Sequence, residues 1–505
     1  MSVRKMKELA TNTSCTTKCP LGISPQGYVG LTKIGKFDEA FELVWSKNPL
    51  PSVCAHICHH PCEEGCKRGL LVDEPIQIRE IKRYLSEKVD YTPKKYIQKY
   101  DERIAIIGAG PAGLTAGHYL ATAGYHVTIF ESDSKPGGML VRGIPEFRLN
   151  RDVVERDIQH LIDVGLDIRL NEKINKYSVE QMKYEYDAII VAAGTPHSTE
   201  LLIDGFRLAG IMTATRFMEY INNYRKPRRH LGQLFKFQGG KAVIIGGGSV
   251  AVDCARSAVR AGTSKVTMVC RRPVEETPAH KWELEEAIAE GVEIIGGYVP
   301  VAFTSELFPT LNGVKFEKVI SRTRDENGKV VIKTDKENPI VIECDWCVEA
   351  VGQKADDFWS DIAEPGVFFA GDISSNKCSV IDAMASGRKT AMDVDAAIRG
   401  RQLKGSTIEM ADRLTPVPVE EKLFPYNFRK IVRPHVSKLE PEVRVKTFAN
   451  YEGVFTDKEA HREADCCLGC GYETVNAEKC IGCGMCARLC PKGDVITLIA
   501  KEKGE

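Results

Sequence analysis

The sequence predicts an α/β protein built on two doubly wound units and bounded at each end by a cysteine-rich segment. Three observations predict it. The stretches RIAIIGAGPAGLTAGHYLATAGYHVTIFES (103–132) and KAVIIGGGSVAVDCARSAVRAGTSKVTMVCRR (241–272) are two versions of one strand, glycine turn, helix, strand unit. Around them, apolar β-rich runs such as DAIIVAAG alternate with amphipathic helical stretches, the pattern of a parallel sheet covered by helices. The 18 cysteines are segregated, six from Cys15 to Cys66, seven from Cys466 to Cys490 and five between.

Bulk properties narrow the function. A chain of 505 residues is too long for one simple core. Lys plus Arg balances Asp plus Glu at 69 each, so no net charge draws it to nucleic acid or to an anionic membrane. No apolar run reaches the roughly 20 residues of a membrane span, and the N-terminus lacks the apolar core of a secretion signal. A cytoplasmic protein is expected. Reduced thiols in that compartment argue for metal ligation rather than disulfides.

The first glycine turn carries Gly108, Gly110 and Gly113, with Pro111 and Ala112 between them, directly after an apolar strand. Such a turn lets backbone N–H groups at a helix N-terminus approach a pyrophosphate. Glu131 ends the next strand, where a carboxylate can accept hydrogen bonds from ribose hydroxyls. The second turn reads Gly246, Gly248, Ser249, Val250 and Ala251, with alanine in place of the third glycine. Cys270 takes the place of Glu131, and Arg271 and Arg272 follow. Losing the acid and gaining two guanidinium groups suits a 2′-phosphate, which favours NADP(H) over NAD(H). The plainer alternative is a solvated strand end.

Further segments resemble a known group, the small subunit of glutamate synthase and its relatives. They are KPGGMLVRGIPEFRLNRDVV (135–154), VAAGT (191–195), RRPVEETPA (271–279), VEAVGQKAD (348–356) and GVFFAGDISSNKCSVIDAMASGRKTAMDV (366–394). The resemblance implies that the first copy binds FAD, with Gly138, Met139 and Arg148 in its flavin-domain signature and Gly371 and Asp372 contacting FAD from a returning segment. The expected fold is therefore two Rossmann-like domains, a discontinuous FAD domain (101–228 and 352–402) and an inserted NAD(P)H domain (229–351). A helical iron–sulfur domain (1–100) precedes them, and an extended linker (403–460) and a ferredoxin-like segment (461–505) follow.

CIGCGMCARLCP places Cys480, Cys483, Cys486 and Cys490 in the C-x2-C-x2-C-x3-C-P run of bacterial ferredoxins, which binds [4Fe–4S] clusters. Structural zinc is the competitor, but it favours two separated C-x2-C pairs. The N-terminal set is Cys15, Cys19, Cys54, Cys58, Cys62 and Cys66. In the family, an E-A-x-R-C-L-x-C element stands directly ahead of that block; here EADCCLGC (463–470) resembles it near the other end. Either Cys467 and Cys470 fold back to the N-terminal site or they pair with the tail run. The family's non-cysteine ligand falls near Lys82, a poor ligand when protonated, unless Cys54 or Glu80 substitutes. The cysteines suffice for about three clusters. His56, His59 and His60 are expected at the surface or behind the ligands, Cys254, Cys270 and Cys378 in the core, and the Cys344/Cys347 pair in a strand rather than in a redox disulfide.

These parts form a chain of electron carriers, so no acid–base residue is expected to be catalytic. The leading expectation is an electron-transfer subunit linking NAD(P)H to a partner reductase subunit or a ferredoxin. A self-contained NADPH:ferredoxin oxidoreductase, bifurcating or not, and a flavin disulfide reductase with structural zinc are the alternatives.

Overall fold

The computed structural model describes residues 13–223, 237–326, 330–375, 379–400 and 432–470. Two parallel five-stranded sheets carry the repeat. In the first, the strands run in the order Val367–Phe369, Ala188–Val191, Arg103–Ile107, His126–Phe130, Asp167–Arg169. In the second they run Ile211–Thr213, Trp346–Glu349, Lys241–Ile245, Lys265–Cys270, Val292–Gly296. The first strand of each glycine unit is central in its sheet, between the strand that follows its helix and one that returns from far along the chain. Ile104–Ile107 and Ala242–Ile245 are buried throughout because helices cover both faces of such a sheet. Strand order reverses beside each central strand, and there each glycine turn opens a crevice.

Ile211–Thr213 lies in the second sheet, so the chain enters that domain before residue 211 rather than at the expected boundary of 228. A three-stranded antiparallel sheet, Tyr298–Thr304, Gly313–Arg324 and Val330–Glu343, extends the inserted domain.

The N-terminal domain is helical, with Ser14–Lys18, Pro25–Lys33, Phe37–Trp45, Pro51–Ile57 and Ile78–Lys88 sharing one apolar core with the first sheet. The expected linker is corrected from residue 432 onward, since that segment is a packed strap and not a surface tether. Arg433, Arg444, Tyr451 and Phe455 are buried along it. It leads into helix Asp457–Asp465, which opens on a capping box between Thr456 and Glu459 and packs on Pro25–Lys33 and Ile78–Lys88. Glu463, fully buried, accepts from the Gln77 backbone N–H at 2.8 Å and from Arg433 Nε at 2.8 Å. Residues 457–470 thus sit on the N-terminal domain rather than within a separate tail domain. The run Cys480, Cys483, Cys486 and Cys490 lies outside the described residues, as does Cys378.

Candidate functional site

The structure brings thiols from the two ends of the chain together. Cys15, Cys66, Cys467 and Cys470 line one cavity, its walls completed by apolar groups such as Val29, Ile76 and Ile78. The strap and its terminal helix deliver Cys467 and Cys470 to this place, and Arg68 secures the turn by donating Nη1 to the Cys466 carbonyl at 2.7 Å. Cys466 is buried against its own helix, its Sγ 3.2 Å from the Arg462 carbonyl oxygen, and stands apart from the four. Of the two positions open to Cys467 and Cys470 on sequence, they occupy the N-terminal one.

Cys19, Cys54, Cys58 and Cys62 form a second group around Lys82. Lys82 is buried, and although burial opposes its charge, the facing thiols of Cys58, Cys54, Cys62 and Cys19 raise its pKa overall. Glu80 is paired with Arg79 at 2.7 Å and does not join them. Cys54 does; its Sγ also touches Met384 Sδ at 3.4 Å, on the helix that follows the Gly371–Asp372 turn.

Both groups fit a bound cluster by their donor chemistry. Burial pushes Cys54 and Cys467 up to about 12 and Cys470 up to about 11. Thiolates so placed need positive charge beside them, and iron supplies it; soft sulfur donors in fours match iron–sulfur clusters. The sequence separated these cysteines by up to 455 positions, from Cys15 to Cys470.

The first glycine turn is tight. Gly108 has φ +106°, and a Cβ on Gly113 would lie 1.9 Å from the Gly108 carbonyl oxygen. A Cβ on Gly110 would meet nothing within 4 Å, so that face of the turn is open. Glu131 accepts from the Ala109 N–H at 2.8 Å and from Asp133 N–H at 2.9 Å, which holds its carboxylate at the turn with lone pairs to spare. Gly138 closes on Gly110, its own Cβ position 3.1 Å from Gly110 Cα, and Met139 opens the short helix beyond it. Gly371, at φ +80°, approaches Ala112. Asp372 carries a buried Oδ1 without a partner among the described residues, and burial, reinforced by Asp382, pushes its carboxyl up to about 6. An open glycine turn beside a buried, unpaired acceptor fits a hydroxyl-bearing dinucleotide such as FAD.

Arg148, expected at the flavin, has its guanidinium on Asp253 at 2.8 Å and Glu283 at 3.0 Å, both in the inserted domain, so it ties the two domains together.

At the second turn Gly246 has φ +151°, and a Cβ there would lie 2.4 Å from the Ala350 carbonyl oxygen. Gly248 caps the helix Ser249–Arg260, whose Ala251 is buried and whose Val250 is exposed. Ser249 Oγ donates to Glu283 at 2.6 Å. Arg271 is exposed at the strand end, and Arg272 is half-buried with Nη1 donating to the Glu276 carbonyl at 3.2 Å. Cys344 and Cys347 are buried in the core, and burial pushes Cys344 up to about 12, the reverse of a reactive thiol.

Sequence reasoning missed the contacts that hold the inserted domain in place. His59 stacks on His280 with ring centroids 5.1 Å apart. From the strap, Lys438 pairs with Glu286 at 2.6 Å and Arg444 with Glu290 at 2.8 Å, while Glu452 meets Lys438 at 3.1 Å and Arg83 at 3.2 Å. The T-x-x-E pattern from Thr456 to Glu459 is a sequence signal that could have marked a folded element at the end of the strap.

Comparison with known proteins defines the class. A family model of pyridine nucleotide-disulphide oxidoreductases matches residues 102–377, one of dihydropyrimidine dehydrogenase domain II with its 4Fe-4S cluster matches 8–93, and a 4Fe-4S binding domain matches 473–494. The chain belongs to the pyridine nucleotide-disulphide oxidoreductase family. It is 31% identical over 510 residues to the NADP(+)-dependent formate dehydrogenase subunit beta of Moorella thermoacetica, covering 90% of this chain and 70% of that one. It is 28% identical over 521 residues to the NADPH-Fe(3+) oxidoreductase subunit beta of Geobacter sulfurreducens, covering 90% and 75%. To the glutamate synthase [NADPH] small chain of Azospirillum brasilense it is 26% identical over 422 residues, covering 77% and 86%. Among solved structures, Mycobacterium tuberculosis FprA in complex with NADPH shares the fold at a TM-score of 0.51 and 17% identity, covering 63% of this chain and 88% of that one. This chain is an NAD(P)H-dependent electron-transfer oxidoreductase with FAD and [4Fe–4S] clusters as its cofactors. The relatives named as subunits and small chains belong to larger oxidoreductases. Among the described residues no helix is long and apolar enough to cross a membrane.

Proposed function

We propose that this chain is the cytoplasmic electron-input subunit of a larger oxidoreductase, taking electrons from NADPH and passing them to a partner reductase subunit or a ferredoxin. The observation that carries this reading is the seating of Cys467 and Cys470 beside Cys15 and Cys66. It ties the ferredoxin-type run, which begins ten residues after Cys470, to the N-terminal thiols. The chain then holds its carriers in one file. When bound, the nicotinamide supplies a hydride, the flavin converts a two-electron donor to one-electron steps, and the clusters carry single electrons.

The residues divide the work by position. Gly108, Gly110, Gly113, Glu131, Gly138, Met139, Gly371 and Asp372 hold FAD in the first crevice. Gly246, Gly248, Ser249, Val250 and Ala251 present the second helix N-terminus to the NADPH pyrophosphate, and Arg271 and Arg272 take its 2′-phosphate. Cys15, Cys66, Cys467 and Cys470 ligate one cluster; Cys19, Cys54, Cys58 and Cys62 ligate a second, with Lys82 as a compensating charge and not a ligand. The contact of Cys54 with Met384 sets this second group against the helix that follows the Gly371–Asp372 turn.

Anaerobic titration with NADPH and with NADH tests the reading. NADPH is expected to bleach both a flavin band and a broad iron–sulfur absorbance. Removing both guanidiniums (Arg271→Ala with Arg272→Ala) deletes charge-assisted hydrogen bonds of about 1.5–3 kcal/mol, so NADPH preference should fall about 10- to 100-fold. Bleaching of the flavin band alone would overturn the carrier file, and an unchanged preference would overturn the role of the arginines.

A further inference from the structure

Gln26 is the second residue of helix Pro25–Lys33 and only 3% exposed, yet neither its Oε1 nor its Nε2 has a hydrogen-bond partner among the described residues. It lines the cavity onto which Cys15, Cys66, Cys467 and Cys470 converge. Leaving a buried polar group unpaired costs about 1–3 kcal/mol. The helix could carry an apolar residue there, as it does at Val29 on the same wall. Arg68, also on that wall, is engaged by Asp73 at 2.7 Å and by the Cys466 carbonyl. An amide with two N–H donors, buried and unpartnered in the wall of a thiol-lined cavity, calls for an acceptor inside it. Cluster sulfides and cysteinyl sulfurs are such acceptors, and N–H···S bonds stabilise the more negative, reduced form of a cluster.

We propose that Gln26 donates its side-chain N–H to a sulfur of the cluster held by Cys15, Cys66, Cys467 and Cys470, and thereby raises that centre's reduction potential. The proposal rests on the ligand set given under Proposed function. Among the carriers, it makes this centre a better electron acceptor from the flavin.

The test is a potentiometric titration of the full-length holoprotein, followed by EPR, with iron and acid-labile sulfide measured on the same samples. Cys15→Ser identifies the signal belonging to this centre. Gln26→Met keeps the volume and removes the donor; the midpoint of that one signal should shift to a more negative potential while the other signals and the iron content stay unchanged. Gln26→Glu, with acceptors only when ionised, should shift it further in the same direction. A fully loaded Gln26→Met protein with an unmoved midpoint would overturn the proposal. Failure of Cys15→Ser to abolish any signal would instead overturn the ligand set beneath it.

Discussion

At Gly113 a single methyl group decides between a fold and a clash. A Cβ there lies 1.9 Å from the Gly108 carbonyl oxygen, whereas one on Gly110 meets no protein atom within 4 Å. The two alanine variants should therefore differ. Gly113→Ala must open the turn, at a cost of at least about 1–3 kcal/mol, and should lower the melting temperature together with flavin content. Gly110→Ala should fold normally and lose flavin only, because its methyl intrudes where the pyrophosphate approaches. Melting curves and the ratio of flavin to protein absorbance check both; equal melting losses would contradict this division. Such glycines were legible in the sequence because their spacing encodes backbone geometry within seven residues. Arg148 was not, since its partners Asp253 and Glu283 lie in another domain, more than a hundred positions away. Local pattern carries no information about such a pair.

The strap is the element that converts separate domains into one unit. Desolvation raises the pKa of Glu290 and Glu452, but their cationic partners outweigh it and hold both at about 2, from 4.5 in a model peptide. For Glu290 these partners are Arg260 and Arg256; for Glu452 they are Arg79, Lys438 and Arg83. A carboxylate depressed on folding stabilises the native state fully above its unfolded pKa, and that contribution is lost as pH falls through the folded value. Stability from these pairs is thus present above about pH 4.5 and disappears toward pH 2, by a few kcal/mol in all. Urea unfolding at pH 5 and pH 3, read by tryptophan fluorescence, should show this loss, and Glu452→Gln should show a smaller one. An equal loss in that variant would remove Glu452 from the account. Breaking such a buried network by deleting one partner is costly because the opposite charge is left unpaired. On sequence, prolines and weak periodicity made this segment read as a tether; its order comes from ion pairs with distant helices, which periodicity does not register.

Across the whole molecule, thiols from the N-terminal domain and from the end of the strap share one cavity. The repeat of strand, glycine turn and helix foretold both parallel sheets, and the thiol spacing foretold iron–sulfur chemistry, because each is written in a short local pattern. Which thiols share a site was not legible: Cys15 and Cys470 are brought together only by the strap and the helix Asp457–Asp465. EPR of the reduced holoprotein tests that closure by comparing which signal each variant loses. Three variants are needed: Cys467→Ser with Cys470→Ser, Cys15→Ser, and Cys483→Ser. The first two should abolish the same cluster signal, and Cys483→Ser a different one. If the Cys467 and Cys470 pair instead shares its lost signal with Cys483, the C-terminal thiols serve the tail and the closure is contradicted.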